Sequence, residues 1–127
     1  MRYDKISLKQ ENWKIPQTQR FTGAFLAVQV HYSRTANAPT GQVQLWVSTD
    51  GVAPMIQARK PEDNSAIVYD INQTIDNLGE GGFVFENPGY EWFELRYVRN
   101  EAVVQNPTDL STNANWFQVF HSQTSYR

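Results

Sequence analysis

The sequence contains no cysteine. Disulfides, thiolate metal sites and cysteine nucleophiles are therefore excluded, and the fold has to hold by packing alone. It also lacks any apolar run long enough for a signal peptide or a membrane span, the opening MRYDKISLKQENWK included. The expectation is a chain made in the cytoplasm and without a membrane span. Basic clusters are equally scarce: the longest is Arg59-Lys60, and the formal net charge is −2. Neutralising phosphates takes grouped Lys and Arg, so direct contact with nucleic acid is not expected.

Histidine is limited to His31 and His121. No G-x-S-x-G turn is present, and a nucleophile needs a base beside it, so the two histidines read as surface or interstrand residues rather than catalysts. Glu91, Glu94, Asp70 and Glu86 are the carboxylates that a glycosidase would have to pair across one cleft. Glu91 and Glu94 fall on opposite faces of one strand, which breaks the simplest pairing. DNLGEGG sets Asp76, Asn77 and Glu80 beside flexible glycines, but it does not match the twelve-residue calcium loop and reads as a solvated loop. No cofactor is expected.

What remains is polar and aromatic. Charged residues are only 19% and hydrophobic ones 40%, and the rest is rich in Asn, Gln, Ser and Thr, which suits strands and turns better than exposed helices. A chain of 127 residues is one domain in size, residues 1–127 around a single core. Alternation places Leu26, Val28, Val30 and Tyr32 on one face of GAFLAVQVHYSR, Val43, Leu45 and Val47 inward in GQVQLWVST, and Phe93, Leu95 and Tyr97 together in YEWFELRYVRN. Ile67 and Tyr69 join this core from AIVYDIN.

YDKISLKQ and NWFQVFHSQ supply a first and a last strand. GAFLAVQVHYSR is apolar enough on both faces to be central, and it is expected to form a hairpin with GQVQLWVST across TANAPT. Pro54 confines VAPMIQARK to an edge or a bulge. QTIDNLGEGG reads as a turn or a single helical turn ending at Gly79, before a short strand GFVFEN, and NPG as a turn. About eight antiparallel strands make an all-β two-sheet sandwich, with the jelly roll as the expected topology.

Aromatic residues make up 13% of the chain, with 4 Trp, 6 Tyr and 7 Phe. Phe25, Trp46, Trp92 and Trp116 fall on outward faces. Outward rings either stack sugars or bury themselves against another subunit. A third reading has the inward and outward faces of one sheet reversed, or the rings covered by the chain's own loops.

The segment GQVQLWVSTDG, a loop-rich middle, and then GYEWFELRYVRN before a last aromatic strand resemble small jelly-roll structural proteins of bacteriophage virions. The matching residues are Val43, Leu45, Val47, Ser48, Asp50 and Gly51, then Tyr90, Trp92, Arg96 and Tyr97. VAPMIQARK departs from that pattern, since no Asn-Trp follows the Asp-Gly turn. The resemblance implies a non-enzymatic virion protein of capsid, decoration, vertex or tail, working in many copies with itself and with other virion proteins. A carbohydrate-binding or receptor-binding sandwich that holds a glycan on surface aromatics is the alternative. On the virion reading, RTANAPTG and NPTDLSTNAN lie at one end or outside, and MRYDKISLKQ and HSQTSYR are ordered by neighbouring subunits.

Overall fold

The computed structural model describes residues 1–36, 38–100 and 114–124, and the side chains of Asp76 and Asn77 are left out of account. Among the described residues there are ten strands and no helix. They are β1 (Ile6–Ser7), β2 (Asn12–Lys14), β3 (Gln19–Arg20), β4 (Phe25–Arg34) and β5 (Thr40–Ser48), then β6 (Ile56–Gln57), β7 (Val68–Ile71), β8 (Ile75–Glu86), β9 (Trp92–Asn100) and β10 (Trp116–Thr124). No described helix is long and apolar enough to cross a membrane.

The strands form a two-sheet antiparallel sandwich. One sheet runs β1-β10-β4-β8; the other runs β2-β9-β5-β6, with β3 also on β9 and β7 also on β5. The pairings are nested. β1 pairs with β10, β2 and β3 with β9, β4 with β8, and β5 with β6 and β7.

The period-two pattern of the long strands becomes burial. Leu26, Val28, Val30, Val43, Leu45, Val47, Ile67, Phe93 and Leu95 are buried, and Tyr69 packs partly buried against them. Central placement of β4 holds, since it lies between β10 and β8. Pro54 precedes an edge strand, β6, as its missing N–H requires.

Three expectations change. β4 and β5 do not form a hairpin: they belong to different sheets, and the intervening segment crosses from one to the other. At this crossing sits Arg34, a buried guanidinium that donates to Ala38 O (2.8 Å), Pro39 O (3.2 Å), Asn72 O (3.4 Å) and Thr74 Oγ1 (3.3 Å). Burial lowers its pKa from the ordinary arginine value. These bonds pin the corner, and Ala38 and Pro39 beside it are buried.

QTIDNLGEGG is neither a turn nor a helical turn from Ile75 on, because Ile75–Glu86 is one continuous strand. Its glycines make room for tyrosines. A Cβ on Gly79 would sit 2.5 Å from the Tyr32 ring, and one on Gly81 would sit 2.1 Å from the Tyr69 ring, which reaches over from the other sheet. The amino-terminal segment, finally, is ordered by its own chain. Tyr3 N donates to Val119 O, and Leu8 is fully buried. Most of the loop NPTDLSTNAN, and residues 125–127 of HSQTSYR, lie outside the described residues; His121–Thr124 belong to β10.

Truncating Leu45, which has no exposure, to Ala should cost about 2–5 kcal/mol in urea unfolding, because the cavity lies between two packed sheets. A loss below about 0.5 kcal/mol would contradict this assignment of the core.

Candidate functional site

The outer face of the six-stranded sheet carries Trp46 at its centre. Trp46 stands opposite Glu94 of β9 and Gln57 of β6. The Arg96 guanidinium lies 4.0 Å from the centroid of its ring. Arg96 also donates through Nε to Glu94 Oε2, and Thr18 Oγ1 reaches Glu94 Oε1 at 3.5 Å. Glu94 is only 4% exposed although it points away from the core. A buried carboxylate needs a paired charge, and Arg96 supplies it.

The indole N–H is also engaged. Trp46 Nε1 donates to Gln44 Oε1 (2.9 Å), Gln44 Nε2 to Gln42 Oε1 (3.0 Å), and Gln42 Nε2 to Asp70 Oδ1 (3.0 Å). Alternate residues of β5 thus form a hydrogen-bonded ladder along the outer face. Beside it runs a shallow cleft of about 350 Å³, lined by Lys14, Gln44, Trp46, Glu94, Arg96 and Val98 among others.

The other three outward aromatics are not gathered here. Trp92 lies on the same face, with Arg20 5.5 Å from its ring centroid, and packs on the Asp50-Gly51 turn. That turn is closed by its own atoms. Asp50 Oδ1 accepts from Val52 N and Ala53 N, Ser48 Oγ donates to Ala53 O, and Gly51 has φ 78°. The two amide bonds to Asp50 lower its pKa. Phe25 and Trp116 belong to the other sheet and sit near opposite ends of β4, since Trp116 aligns with Ser33 and Thr124 with Phe25. Phe25 is half-buried; Trp116 is only 7% exposed, with Lys5 Nζ 4.1 Å from its ring centroid.

No family model, no curated protein and no solved structure matches this chain. The residues must therefore be judged by what they can do. Asp70, Glu86 and Glu94 line three different clefts, and Glu91 lines none of the three. Among the described residues there is no group of three His, Asp or Glu able to hold a metal ion. His31 and His121 sit on opposite faces of their sheet. His31 lies outward, with Nε2 3.5 Å from Glu80 Oε2 and 3.0 Å from the Gln29 amide. His121 lies inward, against Tyr3 and Phe93.

Sequence reasoning singled out Trp46 and missed its partners Arg96, Gln44 and the burial of Glu94. The available signal was the outward set of β9, Trp92-Glu94-Arg96, which alternates ring, acid and base opposite Trp46.

Burial holds the His121 imidazole down to about 4, well under the ordinary 6.5. In the unfolded chain it takes up a proton near 6.5, so between these values the unfolded state binds the extra proton. Stability should fall as pH drops from about 6.5 to 4, by up to about 3 kcal/mol. Urea midpoints across this range should show that slope, and His121→Gln should flatten it. An unchanged slope in the variant would exclude His121 as its source.

Proposed function

We propose that this chain is a non-enzymatic virion structural protein, a capsid, decoration, vertex or tail component, working in many copies through contacts with itself and with other virion proteins. The observation that carries the reading is the nested pairing. First strand with last, second and third with ninth, and so inward to β5 with β6 and β7, is the order produced by rolling one long antiparallel ribbon into two sheets. It supports the jelly roll, an architecture used by viral capsid and lectin domains alike.

The surface favours the first of those uses. A sugar stacks on an open ring face, and Trp46 and Trp92 each have a guanidinium against the ring. Among the described residues the large apolar side chains that are exposed are all aliphatic: Met1, Val52, Ile56, Leu78, Val84 and Val98. Aliphatic groups at strand edges and on outer faces suit protein contact, where shape and desolvation supply the energy. Repetition of one such contact around a closed symmetry is the usual way for identical subunits to cover it. On this reading the chain is made in the host cytoplasm and ends in the particle.

The test uses two sets of variants. Ile56→Lys and Val98→Lys change exposed side chains, so they should fold normally yet reduce incorporation into particles at least about tenfold. A polysaccharide panel should leave tryptophan fluorescence unchanged. Saturable quenching that Trp46→Ala or Trp92→Ala abolishes, together with normal incorporation of the lysine variants, would instead establish the glycan-binding alternative.

A further inference from the structure

Sheet edges are where one chain can be extended by another, and three of the four edges here are poor templates. β1 has two residues, β2 and β3 have three and two, and β6 is separated from β7 by an excursion over residues 58–67. That excursion is closed by Lys60 N to Ser65 O and Ile67 N to Ala58 O, with Asn64 at φ 60°. Short, broken or bulged edges are how sheets avoid pairing with strangers.

β8 is different. It runs for 12 residues, about 40 Å at ~3.3 Å per residue, and among the described residues it pairs with β4 alone. Among the described residues no strand pairs with its other side, and a strand side of this kind is the feature used in strand addition. The far end of this edge is also walled. Lys60, Pro61 and Glu62 of the excursion, with Ile67, stand opposite residues 84–88 and enclose a groove of about 560 Å³. A wall overhanging the edge admits one extended segment more readily than the flank of a second sandwich.

The side chains define what that segment should carry. The outward face of β8 interleaves Leu78 and Val84, 48% and 55% exposed, with Glu80 and Glu86, both exposed. β8 has no basic residue, and Glu62 adds a further carboxylate to the groove against the single cation of Lys60. Two β8 edges brought together would set acid near acid, which destabilises pairing, whereas a basic strand would be drawn in.

We propose that β8 accepts an extended strand from another protein, with lysine or arginine opposite Glu80 and Glu86 and a branched apolar residue opposite Val84. The two basic positions then lie six residues apart, matching 80 and 86. This rests on the reading of the chain as a subunit that meets other proteins, and it names the place and chemistry of one such contact.

The probe is a ten-residue peptide alternating Val and Thr with lysines six apart, tested beside the same peptide with glutamates and one interrupted by two prolines. Amide exchange of the whole chain is followed by nuclear magnetic resonance. The lysine peptide should slow exchange in β8 at least about tenfold without slowing β1. The glutamate peptide should bind at least about tenfold more weakly, the proline peptide should not protect, and Val84→Lys should weaken binding with the thermal midpoint kept. Equal protection by the lysine and glutamate peptides would overturn the proposal, as would protection of β8 by self-association in sedimentation runs without peptide. Val84→Lys chains that enter particles at full occupancy would overturn the strand contact and leave the subunit reading intact. A native chain found outside any particle would remove that reading instead.

Discussion

Two sheets with no disulfide between them need contacts that cross the gap, and here an unbroken run of rings provides them. Tyr97 stacks on Phe117 at 4.3 Å between centroids, Phe117 meets Trp13 at 5.5 Å, and Trp13 meets Tyr3 at 5.9 Å. Tyr3 then touches His121, His121 touches Phe93, Phe93 touches Phe21, and Phe21 touches Phe85. The run passes from β9 to β10, to β2, back to β10, to β9 and finally to β8, so it crosses repeatedly between the sheets. Each ring pair adds about 0.5–1.5 kcal/mol beyond its buried area. Tyrosines complete the interlock by lying on glycines: Tyr97 on Gly41, Tyr32 on Gly79 and Tyr69 on Gly81. Burial pushes the Tyr69 hydroxyl up to about 12 and raises that of Tyr97 as well, so both stay neutral.

This constraint changes the meaning of the aromatic content. A surplus of rings in a small chain reads naturally as surface waiting for a partner. Most of the rings instead serve the interior, and no aromatic side chain is among the large exposed apolar groups of the described residues. The outward tryptophans are held under cations: Trp46 under Arg96, Trp92 beside Arg20, Trp116 under Lys5. The exposed large apolar groups of the described residues are aliphatic, and β8 forms a long sheet edge.

Much of this was legible in the residues, because alternation in a half-buried strand is direct physics. Val43, Leu45 and Val47 could only face one way, and so could Phe93, Leu95 and Tyr97. The outward direction of Trp46 and Trp92 followed from the same count, but their cover did not, since it comes from cross-strand neighbours far apart in sequence. Gly79 and Gly81 misled for a related reason. Glycine signals a turn locally, whereas here it answers to a tyrosine on another strand. The path from β4 to β5 also defied local reading, because a short polar link looks like a hairpin until the buried Arg34 is seen gathering carbonyls at the corner.

We propose that this ring-cemented sandwich works by contact with other protein chains in a repeated assembly. The most direct measurement is the mass and stoichiometry of the species that carries this chain when isolated from its native source, by native mass spectrometry with electron microscopy of the same fraction. The expected result is a particle containing many copies at fixed ratio to its other proteins. A free monomer carrying a bound small ligand, with no copies in any particle, would contradict it.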